Sequence, residues 1–347
     1  MNSGINRREF LKYSAATGML IAAGDGIMES VTAQAATGIT EVDKLTIWVL
    51  TDNYYEANEP ESKITKRYRA VPGKSIHAEF GLSFYIETVT GGKTSTCMFD
   101  YGLDPVGVMN NSALLGLDVG KTNAFSLSHG HFDHFTNAVS ILKQNQSRIA
   151  GGTPFYVGEE AFARRYSLRP GATEPTDVGQ LRKEDIEALG LKVVEVKTPV
   201  EIVPGAHFTG NIERVTSYEK VPANFQIKRG EKIEHDTFPG EQAVFFNVNG
   251  KGLVVLSGCA HAGIVNTVKQ AQKIAGIDKV HAIMGGFHLI NAKPELIQNT
   301  VADIKAMKPD YIVATHCTGF RAMVAFSREM PKEFVLNTAG TRYTFTA

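Results

Sequence analysis

The chain has 347 residues, of which 43% are hydrophobic and 21% are charged. This composition is typical of a globular protein with one large domain or two small ones. Lys and Arg together number 36, as do Asp and Glu, and this balance gives no reason to expect a nucleic acid or an anionic membrane as partner. We therefore expect a small-molecule substrate, and leave open whether it is anionic.

The N-terminus has the features of a targeting segment. Arg7-Arg8 is the pair of a twin-arginine signal, an apolar stretch runs from Tyr13 to Met28, and Ala33-Gln34-Ala35 has the form of a cleavage site. Two glycines and an aspartate interrupt the apolar stretch, so we expect no permanent membrane anchor. Residues 1–35 are predicted to direct the chain to the twin-arginine translocase and then to be removed, which leaves 36–347 as the domain of a periplasmic or secreted protein.

The first patterns after this signal predict β-structure. Leu45–Leu50 predicts a strand that ends at Asp52-Asn53, and these two side chains either line a site or close a turn. Phe80–Glu87 and Thr96–Asp100 contain aromatic and β-branched residues on either side of Gly91-Gly92, which predicts a hairpin.

Between the first strand and the hairpin lies a polar segment with several basic side chains. It is either a mobile flap that attracts an anionic substrate or solvated surface. Its basic residues are Lys63, Lys66, Arg67, Arg69 and Lys74.

The densest cluster of metal-capable side chains follows a short apolar strand pattern that ends at Leu127. His129 and His131 are two residues apart, so an extended backbone presents both imidazoles to one ion. Asp133 and His134 come where a helical pattern begins, point another way and suit a second ion. Imidazole and carboxylate donors together fit zinc, iron or manganese, with zinc as our first choice.

The middle of the chain carries weaker signals. Helices are predicted at Glu159–Arg165 and Glu184–Leu189, and the charged segment of about 214–240 is a possible insertion or lid. His207 and His235 are lone histidines, so we interpret them as core or surface residues, although His207 stays an alternative ligand.

A strand–loop–helix pattern occurs three times near the C-terminus. The strands are predicted at 252–257, 280–284 and 311–315, and helices at 264–274, 294–307 and up to Met330. Such alternation predicts parallel strands joined by right-handed crossovers, whose carboxyl ends share one edge of the sheet. Because His261, His288 and His316 each follow one of these strands, we expect them to meet at that edge.

The three cysteines, Cys97, Cys259 and Cys317, cannot all pair with one another. Cys259 and Cys317 lie beside motif histidines, so we interpret them as site residues rather than as a disulfide.

The motif His129-x-His131-x-Asp133-His134 resembles the signature of the metallo-β-lactamase superfamily. Three later motifs are similar to those of the subgroup typified by dihydropterin-methyl-ribofuranosylaminobenzene phosphate synthase. That subgroup has a histidine where this chain has Phe80, and Asp-Thr-Gly where it has Asp100-Tyr101-Gly102. The later motifs are Gly258-Cys-Ala-His261, Gly285-Gly-Phe-His288 and Thr315-His316-Cys-Thr-Gly319.

This resemblance implies an α/β fold, the four-layer αββα sandwich of the superfamily, with two divalent metal ions. His129, His131 and a later histidine are predicted to hold the first ion, and Asp133, His134 and His316 the second. His261 is the preferred additional ligand, with Cys259 as the alternative. Asp133 also orients the attacking water, and His288 is predicted to act as a general acid or an oxyanion donor, with a role as a ligand or as a hydrogen-bonded core residue left open.

The function predicted first is that of an exported binuclear hydrolase. A hydroxide shared by the two ions would attack an ester, lactone, lactam or phosphoester. One alternative is a metal-dependent transferase or synthase acting on a phosphorylated pterin-like or ribosyl substrate, in which Arg214 or the basic segment would clamp a phosphate. Another is a non-catalytic metal-binding protein that has kept the fold.

Overall fold

The computed structural model describes residues 38–347, and the predicted signal segment lies outside this range. None of the helices in the described range is both long enough and apolar enough to cross a membrane. The strands are β1 (Glu41–Val42), β2 (Lys44–Thr51), β3 (Thr65–Arg67), β4 (Ser83–Thr90), β5 (Lys93–Phe99), β6 (Ala124–Ser126), β7 (Pro154–Gly158), β8 (Arg165–Ser167), β9 (Thr176–Gly179), β10 (Lys192–Val196), β11 (Val200–Val203), β12 (Ala206–Phe208), β13 (Phe225–Arg229), β14 (Lys232–His235), β15 (Ala243–Val248), β16 (Gly252–Ser257), β17 (Val280–Gly286), β18 (Tyr311–Thr315) and β19 (Thr341–Thr346).

The helices are short and lie mainly after strands. Two 3₁₀ turns, Val119–Lys121 and His316–Thr318, accompany them. The α-helices are α1 (Pro105–Leu114), α2 (Phe132–Phe135), α3 (Ala138–Asn145), α4 (Lys183–Glu187), α5 (Ile264–Ala275), α6 (Pro294–Ala306) and α7 (Phe320–Glu329).

Two large sheets form the centre of the molecule. One has eight strands in the order β10-β7-β6-β5-β4-β2-β19-β3, and the other has the order β11-β12-β15-β16-β17-β18 with β1 paired to β15. The hairpin predicted around Gly91-Gly92 is confirmed, because β4 pairs antiparallel with β5 across that turn. A separate four-stranded sheet, β14-β13-β8-β9, lies outside these two.

Three apolar cores show that the layers are helix, sheet, sheet and helix. Ile47 and Phe84 of the first sheet pack with Phe246 of the second in the core between the sheets. On the outer faces, Phe125 packs with residues of α3, and Val255 packs with residues of α5. Full burial of one such side chain stabilises the fold by about 1.5–3 kcal/mol. The predicted αββα sandwich is confirmed.

The C-terminal repeat has the predicted topology. Strands β16, β17 and β18 pair in parallel, and the connecting helices are α5 and α6. Their carboxyl ends therefore meet at one edge, which is where the three histidine-bearing loops begin.

The helix predicted at Glu159–Arg165 is wrong. Glu160 has a left-handed backbone with φ 59°, and the chain then enters strand β8 at Arg165. Contacts far away in sequence override the local helical pattern: the Glu160 carboxylate pairs with Arg229, and the Arg165 guanidinium pairs with Asp236 at 2.8 Å. The helix predicted at Glu184–Leu189 corresponds to the shorter α4.

The sequence left the roles of the basic segment and of the 214–240 segment open, and both contain β-strands. The basic segment contains β3, and its Arg67 is buried, donating hydrogen bonds to Thr338, Thr341 and the carbonyl of Leu336. Arg67 is therefore a structural residue rather than part of a phosphate clamp. Within about 214–240, strands β13 and β14 form a hairpin that joins β8 in the small sheet.

Candidate metal centre

The predicted metal-capable residues come together at one rim, although they are spread over nearly 190 positions of the sequence. The loop after β6 leads to the first motif and to α2, and the loops after β16 and β18 bring the later residues. Three groups of donor atoms result, with all atoms of a group within 4.8 Å of one another. The groups are Asp133, His134, Cys259 and His316; His129, Cys259 and His261; and Cys259, His288 and Cys317.

The first group surrounds the carboxylate of Asp133. His316 Nε2 lies 3.1 Å from Asp133 Oδ2, and His134 Nε2 lies 3.7 Å from the same oxygen. Cys259 Sγ is 3.1 Å from His134 Nε2. All four side chains are buried, so a carboxylate, two imidazoles and a thiol face one small volume.

The second group is built from imidazoles. The Nε2 atoms of His129 and His261 are 3.2 Å apart. The His131 ring centroid lies 4.7 Å from that of His129 and 4.8 Å from that of His261. His131 therefore lies beside this pair, although none of the donor groups found among residues 38–347 includes it, and its role as a ligand stays a prediction.

Hydrogen bonds fix the orientation of three rings and so indicate a metal site. Asp100 Oδ2 accepts from His134 Nδ1 at 2.6 Å and from Ser128 Oγ at 2.7 Å, and that hydroxyl lies 2.9 Å from His129 Nδ1. The amide oxygen of Asn53 lies 3.4 Å from His316 Nδ1. With Nδ1 as the donor, each Nε2 presents a lone pair to the cluster, which is the usual arrangement of metal-binding histidines.

The two groups of donors differ in their protonation equilibria. Burial, reinforced by the neighbouring imidazoles, lowers the pKa of His129 and of His261 well below the usual value, so both stay neutral. Burial opposes charge on Asp133 and His316 as well. Even so, the imidazolium charges keep the pKa of Asp133 low, and the hydrogen bond to Asp133 raises the pKa of His316 to about 9. The carboxylate therefore draws positive charge into the pocket, and divalent ions fit this donor set.

Left-handed backbone conformations at non-glycine residues concentrate at this rim. Asp100, Ala260, His288 and His316 have φ between 46° and 62°. Such conformations cost about 1–3 kcal/mol each and persist where the surrounding contacts impose them. At His316, the backbone N–H donates to Asp52 Oδ1 at 3.1 Å, and the carbonyl accepts from Asn53 Nδ2 at 3.1 Å.

The sequence left open whether Asp52 and Asn53 line a site or close a turn, and the structure places both at the site. They hold the loop that carries His316, and Asn53 also orients the ring. Beside them, Phe80 is 46% exposed, and its ring centroid lies 5.1 Å from that of His316. The site thus has an aromatic edge where the subgroup has a histidine.

Aromatic side chains cover the imidazole group. The Phe238 ring stacks on His261 with centroids 4.0 Å apart and an interplanar angle of 6°. Phe225 lies 5.2 Å from the His131 ring, 5.0 Å from His261 and 5.1 Å from His288. Both phenylalanines come from the 214–240 segment, so this segment supplies a wall of the site.

Buried charged groups support this wall. Arg165 pairs with Asp236, and its guanidinium carbon lies 5.6 Å from the centroid of Phe238. Glu241 accepts the backbone N–H groups of His261 and Ala262 at 2.7 and 2.6 Å. Burial raises the pKa of Glu241 to about 7. Sequence reasoning missed these residues, because their partners are 20 to 71 positions away.

The remaining candidates are placed differently. His288 lies at the edge of the centre with Cys259 and Cys317, and all three cysteines are free thiols. His207 lies 3.6 Å from Glu201 and stacks on Phe245, and it is in none of the metal-capable groups found among residues 38–347. His235 is exposed on β14. The structure thus brings together all the preferred ligands, and their roles as ligands stay predictions.

Comparison with known proteins agrees with the fold and the motif. The model superposes on the crystal structure of a metal-dependent hydrolase of the β-lactamase superfamily with a TM-score of 0.68, covering 87% of this chain and 100% of that chain. At 22% identity this likeness concerns the fold alone. The chain belongs to the metallo-β-lactamase superfamily.

One homologue relates the chain to a particular subgroup of this superfamily. The 7,8-dihydropterin-6-methyl-4-(β-D-ribofuranosyl)-aminobenzene-5'-phosphate synthase of Methanocaldococcus jannaschii is 31% identical over 306 residues, 87% of this chain and 97% of the synthase. An uncharacterised protein of the same organism is 25% identical over 258 residues, 74% of this chain and 90% of that protein. No protein-family model matches the chain.

Proposed function

We propose that this protein is a metal-dependent transferase that joins a pterin-like methylene group to an arylamine carrying a phosphorylated ribose. The supporting observation is the match to the synthase over nearly its whole length, combined with the convergence of the motif residues on one rim. This proposal takes the alternative predicted from the sequence in place of hydrolysis.

Two divalent ions are proposed for the centre. His129, His261 and the neighbouring His131 would hold one, and Asp133, His134 and His316 the other, with Cys259 within reach of both. Zinc is the first choice for this donor set, with iron and manganese as alternatives. When bound, such ions supply Lewis acidity that stabilises negative charge on a departing oxygen.

The proposed step is a nucleophilic displacement. The arylamine nitrogen forms a bond to the methylene carbon, and the bond from that carbon to the oxygen of a phosphate or diphosphate ester breaks with its electron pair. The amine loses one proton, and we assign its acceptance to His288 Nδ1, which is buried and has no hydrogen-bond partner among residues 38–347. Phe225 and Phe238 cover the imidazoles and reduce the access of water, which would otherwise compete with the amine.

The test is an activity assay in which metal-loaded protein is incubated with both reactants. The reactants are 6-hydroxymethyl-7,8-dihydropterin diphosphate and 4-(β-D-ribofuranosyl)aminobenzene 5'-phosphate, and mass spectrometry detects the joined product. We expect product with the unaltered protein and none with Asp133→Ala. Absence of product from protein shown by elemental analysis to carry its metals contradicts the proposal.

Hydrolysis of an ester, lactone, lactam or phosphoester is the second candidate. It is favoured by Phe80, whose apolar ring lies 5.1 Å from that of His316 and borders the substrate edge, and by the proposed export, because pterin biosynthetic intermediates are cytosolic. A panel of phosphodiester, phosphomonoester, lactone and β-lactam substrates distinguishes the two functions. Turnover of one of these compounds without formation of the joined product supports the hydrolase.

We further propose that the chain is exported by the twin-arginine translocase and acts in the periplasm or outside the cell. Arg7 and Arg8 support this proposal. Because export by this route follows folding, the metals would be loaded in the cytoplasm. Replacing both arginines by lysine is expected to keep the protein in the cytoplasm, as measured by fractionation. Detection of the double variant in the periplasm, with its signal segment removed, would contradict export by this route.

A further inference from the structure

Two cavities adjoin the metal centre, and Phe225 borders each of them. We name the first, of about 370 Å³, the lysine cavity: it is lined by residues that include Lys220, Lys293, Asn224, His261 and His288. We name the second, of about 480 Å³, the aromatic cavity: its lining includes His131, Phe132, Tyr166, Ser167, Arg169 and Thr176. Phe225 lines both, so its ring separates two spaces that each contact an imidazole of the centre.

The lysine cavity contains polar groups without partners. The Nδ1 atoms of His261 and His288 are buried and make no hydrogen bond within residues 38–347. A buried polar atom left unpaired costs about 1–3 kcal/mol. Both nitrogens can be satisfied by a polar group of a molecule bound in this cavity, which indicates a ligand site.

The charges of the two cavities differ. Lys220 and Lys293 are exposed and form no ion pair within the described range, and the cavity's acidic residue, Glu219, already accepts the N–H groups of Val265 and Asn266. In the aromatic cavity, one cation, Arg169, accompanies Asp177, which pairs with Arg164. Free positive charge is therefore greater in the lysine cavity.

The start of α6 adds to this positive potential. Lys293 is the N-cap residue of α6, and no side chain accepts from the first backbone N–H groups of this 13-residue helix. Uncapped N–H groups and the helix dipole favour an anion at this end. Together with the two lysines and the Nδ1–H that His261 carries when its Nε2 faces the centre, they describe a site for a phosphate-bearing molecule.

We infer that the lysine cavity binds the phosphorylated ribose part of the substrate, and that the aromatic cavity binds the planar heteroaromatic part. The inference rests on the proposed function, which requires two substrates to meet at the centre. Phe132, Tyr166 and Phe225 offer ring faces for stacking in the aromatic cavity, and the hydroxyls of Ser167 and Thr176 offer hydrogen bonds. Phe225 then stands beside the point where the two parts are joined.

Isothermal titration calorimetry on the metal-loaded protein tests this assignment without turnover. The probes are ribose 5-phosphate, ribose and 6-hydroxymethylpterin. We expect the double variant K220Q/K293Q to bind ribose 5-phosphate about tenfold more weakly, the combined loss of two exposed ion pairs, and to bind the pterin unchanged. The matched control is R169Q, which removes an exposed cation from the other cavity and should leave ribose 5-phosphate affinity as it was.

Three results overturn the inference: equal affinity for ribose and ribose 5-phosphate, unchanged ribose 5-phosphate affinity in K220Q/K293Q, or mutual exclusion of ribose 5-phosphate and the pterin. The outcome is separable from that of the proposed function. Lysine-dependent phosphate binding without formation of the joined product keeps the cavity assignment and rejects the transferase. Formation of the joined product together with ribose 5-phosphate binding that does not depend on the two lysines keeps the transferase and rejects the cavity assignment.

Discussion

The two sides of the metal centre are held in place by different forces. On the carboxylate side, Asp100 and Asn53 hydrogen-bond His134 and His316 through Nδ1. On the imidazole side, His261 Nδ1 has no hydrogen-bond partner within residues 38–347, and the Phe238 ring stacks on His261 instead. Directional hydrogen bonds orient the rings of the carboxylate side, whereas on the imidazole side such a bond orients His129, through Ser128, and packing positions His261.

This difference suggests a division of labour. A ring bonded at Nδ1 cannot rotate without losing that bond, so the carboxylate side is preorganised to hold an ion. The imidazole side adjoins both cavities, and its aromatic cover comes from Phe225 in the small outer sheet and from Phe238 in the loop after β14. The first side is therefore expected to govern metal retention, and the second to govern substrate binding.

Removal of the central carboxylate should have the largest effect. Asp133→Ala leaves His134 and His316 without the oxygen that both face. We expect turnover to fall by about 10³-fold or more, with loss of an ion and an unchanged circular dichroism spectrum, since charge stabilisation at such centres is worth several kcal/mol. Elemental analysis and steady-state rates measure this. Full turnover with both metals retained would show that Asp133 is neither a ligand nor a group that orients the reactants.

Loss of the carboxylate behind the rings should have the next largest effect. Asp100→Asn keeps the shape of the side chain but removes the charge that accepts from His134 Nδ1 and Ser128 Oγ. Changes of this kind cost about 10–100-fold in metal affinity. Competition with a chromophoric chelator measures the affinity. Asp104→Asn is the matched control, because Asp104 is an exposed cap of α1, and equal affinities of the two variants would exclude a role for Asp100.

The sequence predicted only some of the residues that form the two sides of the metal centre. The strand-end histidines and the motif at 129–134 follow from local spacing and from the parallel arrangement of β16, β17 and β18. Asp100 was beyond such reasoning, because its main partner, His134, is 34 positions away. A sequence pattern places a residue at the end of a strand, but it does not specify which distant side chain will accept its hydrogen bond.

On the imidazole side, even more of the site depends on contacts between residues that are distant in sequence. Phe225 and Phe238 belong to a segment whose charged, Pro- and Gly-containing sequence indicated only a possible insertion or lid. Their positions depend on β13 pairing with β8, 58 residues earlier at Phe225 and Ser167. That pairing also explains why the helix predicted at Glu159–Arg165 is wrong, since Arg165 begins β8 and is held by Asp236.

Truncation of the dividing ring tests the imidazole side. Phe225→Ala removes the contacts with His131, His261 and His288 and merges the two cavities. We expect KM to rise about tenfold, since aromatic contacts contribute roughly 0.5–1.5 kcal/mol beyond the area they bury, with metal content unchanged. Phe320→Ala is the control, because that ring is 76% exposed. Loss of metal without a change in KM would reverse the roles assigned to the two sides.

Asn53→Ala should have the smallest effect, and it tests whether hydrogen bonding on the carboxylate side is graded by charge. The contact from Asn53 Oδ1 to His316 Nδ1 is long, at 3.4 Å, and neutral, whereas the contact from Asp100 to His134 is 2.6 Å and charged. A neutral hydrogen bond contributes about 0.5–1.5 kcal/mol, so metal affinity should fall by only two- to tenfold. Chelator competition beside Asp100→Asn gives the ratio. A larger loss for Asn53→Ala would mean that the strained backbone at His316, which Asn53 also holds through the carbonyl, controls metal retention more than the carboxylate of Asp100 does.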